Sequence, residues 1–168
     1  MKLPPLLVAS LVLAALPVAA SALAAPVGPD APRCRPGANA LLVSVSGLKS
    51  RAGTVRVQLY GANPADFLAK GKKLRRIEVP VTAQAMEVCV ALPQPGRYAV
   101  AVRHDADQNR KSGWNDGGGF SRNPRISLTD LQPKHRQVAF DVGPGVHRIP
   151  VVMQYRRGLS IGPIRQGG

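Results

Sequence analysis

An all-β domain is what this sequence predicts, and three observations predict it. Apolar residues recur at every second position in Leu41, Val43, Val45; Val55, Val57, Leu59; Val88, Val90, Leu92; and Tyr98, Val100, Val102. That period lines one face of a strand. Turn chemistry separates these runs, as at Pro93-Gln94-Pro95-Gly96 and Gly143-Pro144-Gly145. Helical character is confined to one short stretch, Asn63–Lys73, where Asn63 can cap a turn that Pro64 opens. Seven half-buried strands fit within about 115 residues, and two layers are the economical way to bury their dry faces. The expected architecture is therefore a single seven-stranded antiparallel β-sandwich, Ig-like or prealbumin-like.

The chain of 168 residues opens with a segment that does not belong to this domain. Met1-Lys2 is a short positive start, Leu6–Leu16 is apolar, and Pro17–Ala25 is rich in small residues. Ala20-Ser21-Ala22 and Ala22-Leu23-Ala24 fit small-x-small cleavage, so residues 1–24 read as a cleavable signal peptide. The apolar run is too short, and too broken by Pro4, Pro5 and Pro17, for a transmembrane anchor. No membrane span is expected, and the mature chain is expected in the periplasm or outside the cell. Residues 25–39 hold four prolines and two glycines and read as a linker or extended arm. Cys34 and Cys89 are the only two cysteines. An oxidising compartment favours a disulfide between them over two free thiols, and it would tie the arm to a central strand.

The domain proper is expected over residues 40–156. Leu41–Ser46 and Val55–Tyr60 read as the two strands of a hairpin closed by Gly47–Gly53. Leu74–Thr82 and Gln84–Leu92 follow, with Cys89 on the face opposite Val88 and Val90. Arg97–Arg103 presents Ala99 and Ala101 on its second face, and such small side chains imply a close cover. Gln137–Val142 alternates through Val138, Phe140 and Val142. His147–Tyr155 is the last strand, with Ile149, Val151, Met153 and Tyr155 on one face. Pro150 inside it has no amide to give to a ladder and marks an edge strand or a bulge. Residues 157–168 read as a basic, flexible tail.

The formal net charge is +14. Such a surface attracts anionic envelope components: lipopolysaccharide, anionic lipid headgroups or acidic polysaccharide. Scattered Arg and Lys in a chain rich in Ala, Pro and Gly are also what compositional bias produces. Nucleic acid is not an expected partner, because the chain is exported and has few aromatic residues to stack on bases. A monomer is expected.

The chemistry concentrates in Arg103–Pro124, a polar stretch with four glycines that follows a strand. Asp105, Asp107, Asn109, Lys111 and Asp116 imitate the ligand positions of a calcium loop, Lys111 through its carbonyl. Position six of such a loop turns with φ above zero, and Arg110 stands there. Arg103, Arg110, Lys111 and Arg122 oppose a divalent cation. Calcium is thus a candidate cofactor, against a loop whose Asp and Asn side chains cap their own turns. The rival reading is a hydrolase or metal-dependent enzyme using His104 with the loop aspartates, His135 and His147 being the only other histidines. No Gly-x-Ser-x-Gly, His-Glu-x-x-His or phosphate-cradling loop is present. No catalytic residue is assigned, and an exported binding or structural module is the expectation. Trp114 in the loop is expected to pack beneath it as an anchor, exposure beside Phe120 being the alternative.

One set of motifs spans most of the chain. Gly53-Thr54-Val55-Arg56-Val57-Gln58-Leu59-Tyr60 is followed by Pro95-Gly96-Arg97-Tyr98-Ala99-Val100-Ala101-Val102-Arg103-His104-Asp105. Gly119-Phe120-Ser121, Asn123-Pro124 and a closing Gln154-Tyr155 complete it. In order and spacing these residues resemble the bacterial domain of unknown function 2141 family over roughly Leu41–Tyr155. The resemblance implies a small exported β-sandwich and no named activity. It makes His104, Gly119, Phe120 and Ser121 motif residues. Two positions depart from the family's pattern: Arg110 stands for a glycine, and Gly113 stands where an acidic residue is common. Both weaken a metal-binding loop.

Overall fold

The computed structural model describes residues 25–164; the segment read as a signal peptide lies outside them. The fold is all-β. Among the described residues, helix is limited to two 3-10 turns, Ala31–Arg33 and Pro64–Asp66, and one α-turn, α1, His135–Val138. Asn63 caps the second 3-10 turn as its position predicts, its side chain accepting from the Ala65 amide at 3.1 Å. No described helix is long and apolar enough to cross a membrane.

Ten strands form two sheets rather than the seven expected. The smaller sheet has the order β4 (Met86–Ala91), β1 (Ala40–Ser46), β8 (Val146–Val152). The larger runs β10 (Ser160–Pro163), β9 (Gln154–Arg157), β6 (Gly117–Phe120), β5 (Gly96–Asp105), β2 (Thr54–Tyr60), β3 (Arg75–Pro80), and β7 (Phe140–Val142) pairs with the start of β5. The period-two residues of both sheets meet in one core, with Leu41, Val43 and Val45 of β1 in the same cluster as Val55, Val57 and Leu59 of β2.

Four expectations are corrected. β1 and β2 are not a hairpin: β1 pairs with β4 and β8, while β2 pairs with β3 and β5. Alternation reports which face is buried, not which neighbour is paired, and the connection through buried Leu48 carries the chain from one sheet to the other. The pairing is not wholly antiparallel, because β1 and β8 run parallel. The closing strand is two strands. It leaves the small sheet at Val152, passes through fully buried Met153, and enters the large sheet at Gln154. Gln137–Val142 is a strand only from Phe140, because its first half belongs to α1. Two strands fall where none was expected: β6 lies within the polar stretch, and β10 lies within the stretch read as a tail. Pro150 sits in β8 at the edge of the small sheet, where a missing amide is tolerated.

The N-terminal arm is pinned along β4. Val27 and the β4 backbone exchange hydrogen bonds, Val27 N to Glu87 O at 2.8 Å and Cys89 N to Val27 O at 3.1 Å. Cys34 and Cys89 form the expected disulfide, with Cα atoms 5.9 Å apart. Buried Asp30 pairs with Arg75 of β3 and accepts from the Ala91 amide of β4 at 2.9 Å. Burial pushes the Asp30 carboxyl up, but hydrogen bonds from Arg75 and Ala91 and the charges of Arg75 and Arg33 outweigh it, so its pKa is lowered.

The alanine face of β5 is covered as expected. Ala99 and Ala101 lie buried with Tyr60, Phe120 and Val138, and Phe67, Leu68 and Ile126 pack against them. This second cluster lies on the face of the large sheet turned away from the main core.

Candidate functional site

Alternation at the end of β5 decides what its polar residues can do. Successive side chains point to opposite faces, so Arg103 and Asp105 face outward and His104 faces the core. His104 is 0% exposed. Its Nε2 lies 2.8 Å from the Ala52 carbonyl, which can only accept, so Nε2 donates. Its Nδ1 lies 2.7 Å from the Tyr155 hydroxyl. That hydroxyl accepts from the Lys49 amide at 3.1 Å and gives its own proton to Nδ1. Both ring nitrogens are thereby spent inside the protein. Burial, reinforced by the charge of Asp116 and opposed by the Lys49 amide, pushes the Tyr155 hydroxyl up to about 12. Gly117 leaves the space for this ring: a Cβ there would overlap it.

His135 and His147 do not join His104. His135 Nε2 bonds to the Gly61 carbonyl at 3.0 Å, and His147 Nε2 to the Gly143 carbonyl at 2.9 Å. His104 and Asp105 stand on opposite faces of one sheet and cannot act as an acid–base pair.

The acidic loop does converge. Asp105, Asp107 and Asp116 each offer an oxygen, and these atoms lie within 4.8 Å of one another. A resident cation is already among them. The Arg103 guanidinium reaches Asp105 Oδ2 at 3.1 Å, Asp116 Oδ2 at 3.6 Å, the Lys111 carbonyl at 2.7 Å and Ser112 Oγ at 3.3 Å. The loop's side-chain oxygens also cap turns, Asp105 and Asp116 with the same Oδ2 atoms that face Arg103. Asp107 accepts from the Asn109 amide at 3.2 Å, Asn109 from the Lys111 amide at 2.7 Å, Asp105 from the Arg110 amide at 2.9 Å, and Asp116 from the Gly113 amide at 3.0 Å. Arg110 turns with φ +61°, as its position predicts. Of the five expected metal ligands, three carboxylates thus meet, Asn109 is spent on a cap, and the Lys111 carbonyl is taken by Arg103. Asp105 Oδ1 and Arg103 Nε are buried without a hydrogen-bond partner.

The family-motif residues divide between scaffold and surface. Ser121 is a buried clasp: its Oγ accepts from the Val100 amide at 3.0 Å and donates to the Val138 carbonyl at 2.6 Å. Gly119 lies against β8, where a Cβ would come within 2.7 Å of Val151 Cγ1. Phe120 is buried in the outer cluster. Trp114 is not the expected anchor under the loop. It is 71% exposed, with the Arg156 guanidinium 2.9 Å above its ring centroid. A planar cation on an indole face is a favourable stack.

Trp114 and Arg156 border a groove of ≈ 530 Å³ on the outer face of the large sheet. Its floor follows from the register. Gln58, Ala101 and Phe120 form one cross-strand row, and Arg103, Gly118 and Gln154 the next. Leu68, Ile126, Leu128, Leu131 and Ile161 of β10 also line it. The volume and the largely apolar lining suit a small-molecule site. Gly118, Arg156, Leu128, Leu131 and Ile161 were not among the site residues the sequence suggested. A run of three glycines carries no strand propensity, and Arg156 and Ile161 fall in and beside a stretch that reads as a tail.

Residues 43–150 match the family described as "Uncharacterized protein conserved in bacteria (DUF2141)". No curated protein and no solved structure matches the chain. The match covers more than half of the sequence, and the chain belongs to this family.

Proposed function

Taking that membership as premise, we propose that this is an exported, non-enzymatic binding module, an Ig-like or prealbumin-like β-sandwich. Its ligand surface is the outer face of the large sheet where the loop Asp105–Ser121 borders it. One observation carries the reading: a walled, mostly apolar recess on a regular sheet, with an exposed Trp114 on its rim. Apolar recesses with a few polar groups are where ligands bind. The acidic half of the loop serves as the rim's internal brace, and its Ser112–Phe120 half faces the recess.

The test is thermal melting of residues 25–168 against fractions of the bacterial envelope. A ligand that binds the folded state alone raises Tm. At least one fraction should do so for the native chain and not for Trp114→Ala. If no fraction separates the two chains, the binding-surface reading fails.

A second reading is that calcium stiffens the loop. The three converging carboxylates and the unpartnered, buried Asp105 Oδ1 favour it. Asp105, Asp107 and Asp116 would hold the ion, and Arg103 would have to swing out. The affinity expected is therefore that of weak extracellular sites, about 10⁻⁴–10⁻³ M. Melting in millimolar calcium against chelator decides it, and an unchanged Tm refutes it.

A further inference from the structure

Resting on the binding-module reading, we infer that the groove over Gly118 takes a free single-chain amphiphile with an acidic head, its apolar body over Gly118 and its head at Arg156. Three features of the groove lead there. The first is room at the floor. Gly118 faces outward between Arg103 and Gln154, and a Cβ built on it meets nothing within 4 Å. Its neighbours Gly117 and Gly119 face the other way and have no such space. The glycine run thus serves two ends, close packing inward and an open bed outward.

The second feature is the lining. Exposed Leu128 and Leu131, half-buried Ile126 and Ile161, and buried Phe120 face the bed. Leaving apolar groups in water is unfavourable, and an apolar chain laid between them removes that cost. The recess is a groove of ≈ 530 Å³, a volume in the range of small-ligand sites.

The third feature is charge. The charged side chains of the lining are Arg103, Asp116 and Arg156. Arg103 and Asp116 neutralise each other at 3.6 Å. Arg156 has no carboxylate within ion-pair distance among the described residues. It donates there only through Nε, to the Gly158 carbonyl at 2.9 Å, and stands over the Trp114 ring. Its two terminal NH₂ groups keep the forked geometry that a carboxylate matches. One uncompensated cation beside an apolar bed is complementary to an amphiphile with one acid.

Trp114 is the chain's single tryptophan, so its fluorescence reports on this groove alone. Residues 25–168 are titrated with dodecanoate below its micelle concentration, with dodecanol as the uncharged chain and acetate as the bare head. Dodecanoate should give a saturable change, dodecanol should bind at least 10-fold more weakly, and acetate should give none in the same range. Gly118→Leu fills the bed and should abolish the change while the circular dichroism spectrum is retained. Arg156→Gln, a change at a half-buried side chain on the outer face of β9, should weaken dodecanoate at least 5-fold and leave dodecanol unaltered. No saturable dodecanoate signal, or equal binding by Gly118→Leu, overturns the inference. Sedimentation with phosphatidylglycerol vesicles forms the last arm: vesicle binding lost in Gly118→Leu, with no dodecanoate signal, assigns the groove to a bilayer and also overturns it. If dodecanoate fails while an envelope fraction still separates native chain from Trp114→Ala, only the ligand class falls. If both fail, the binding reading falls with it.

Discussion

Tyr155 shows how one side chain fixes the chemistry of several others. It seals His104, holds the Lys49 amide and requires Gly117 beneath its ring. Tyr155→Phe keeps the ring but leaves the Lys49 amide and His104 Nδ1 without partners. A loss of about 1–3 kcal/mol is expected in denaturant unfolding. The same variant alters the alkaline limb. The folded-state pKa of about 12 lies above the ordinary value of 10, so the folded chain holds the proton more tightly. That contribution is complete below pH 10 and is lost as pH rises towards 12. Tyr155→Phe should flatten the decline in this window, only in part, since burial also raises the pKa of Tyr60. Gly117→Ala drives a Cβ into the Tyr155 ring and should cost about 1–3 kcal/mol by the same measurement. His104 and Tyr155 are both legible in the sequence as motif residues. Their roles are not, because a buried hydrogen-bonded pair and a catalytic pair use the same residue types.

At the scale of elements, buried carboxylates paired with arginine help to hold both the loop and the arm. Arg103 braces the loop from the inside. Arg103→Gln removes the brace and leaves the three carboxylates facing one another. Amides 106–116 should then exchange with deuterium faster, and millimolar calcium should raise Tm more than in the native chain. Unchanged exchange would show that the turn caps suffice alone. For the arm, Asp30 decides. Its lowered pKa means the unfolded chain takes up a proton first as pH falls. The contribution is present above the ordinary carboxylate value of 3.8 and is lost as pH drops through the lower folded value. Asp30→Asn should remove this part of the acid dependence and lower stability at neutral pH by about 2 kcal/mol, as for a lost charged hydrogen bond. The loop's carboxylates were visible in the spacing. The brace was not, because Arg103 is one residue of an alternating strand and only the sheet's outward face brings it over the loop.

For the whole molecule, the basic surface and the two-sheet architecture act separately. The charge of +14 is spread along the chain, so adsorption to anionic vesicles should be general and weaken steeply between 50 and about 500 mM salt. Salt-independent adsorption would contradict a screened surface interaction. The groove is built instead from three separate segments: the Trp114 loop, the Ile126–Leu131 connection and β10. Only the large sheet joins them. The passage of β8 into β9 at Met153 is the element on which this depends, because it takes the chain from one sheet to the other, lays β9 beside β6 and sets Ile161 of β10 beside Arg156.

Alone, the sequence determined the all-β class, the buried face of each long strand, the Cys34–Cys89 bridge and the capped turn at Asn63. All of these follow from local period, residue chemistry or a count of two cysteines. Tertiary structure alone decided which strands pair, where the chain changes sheet, that His104 is sealed and Trp114 exposed, and that a groove opens above Gly118. The physical reason is that alternation encodes a strand's wet and dry sides but not its neighbours. A groove is made of neighbours.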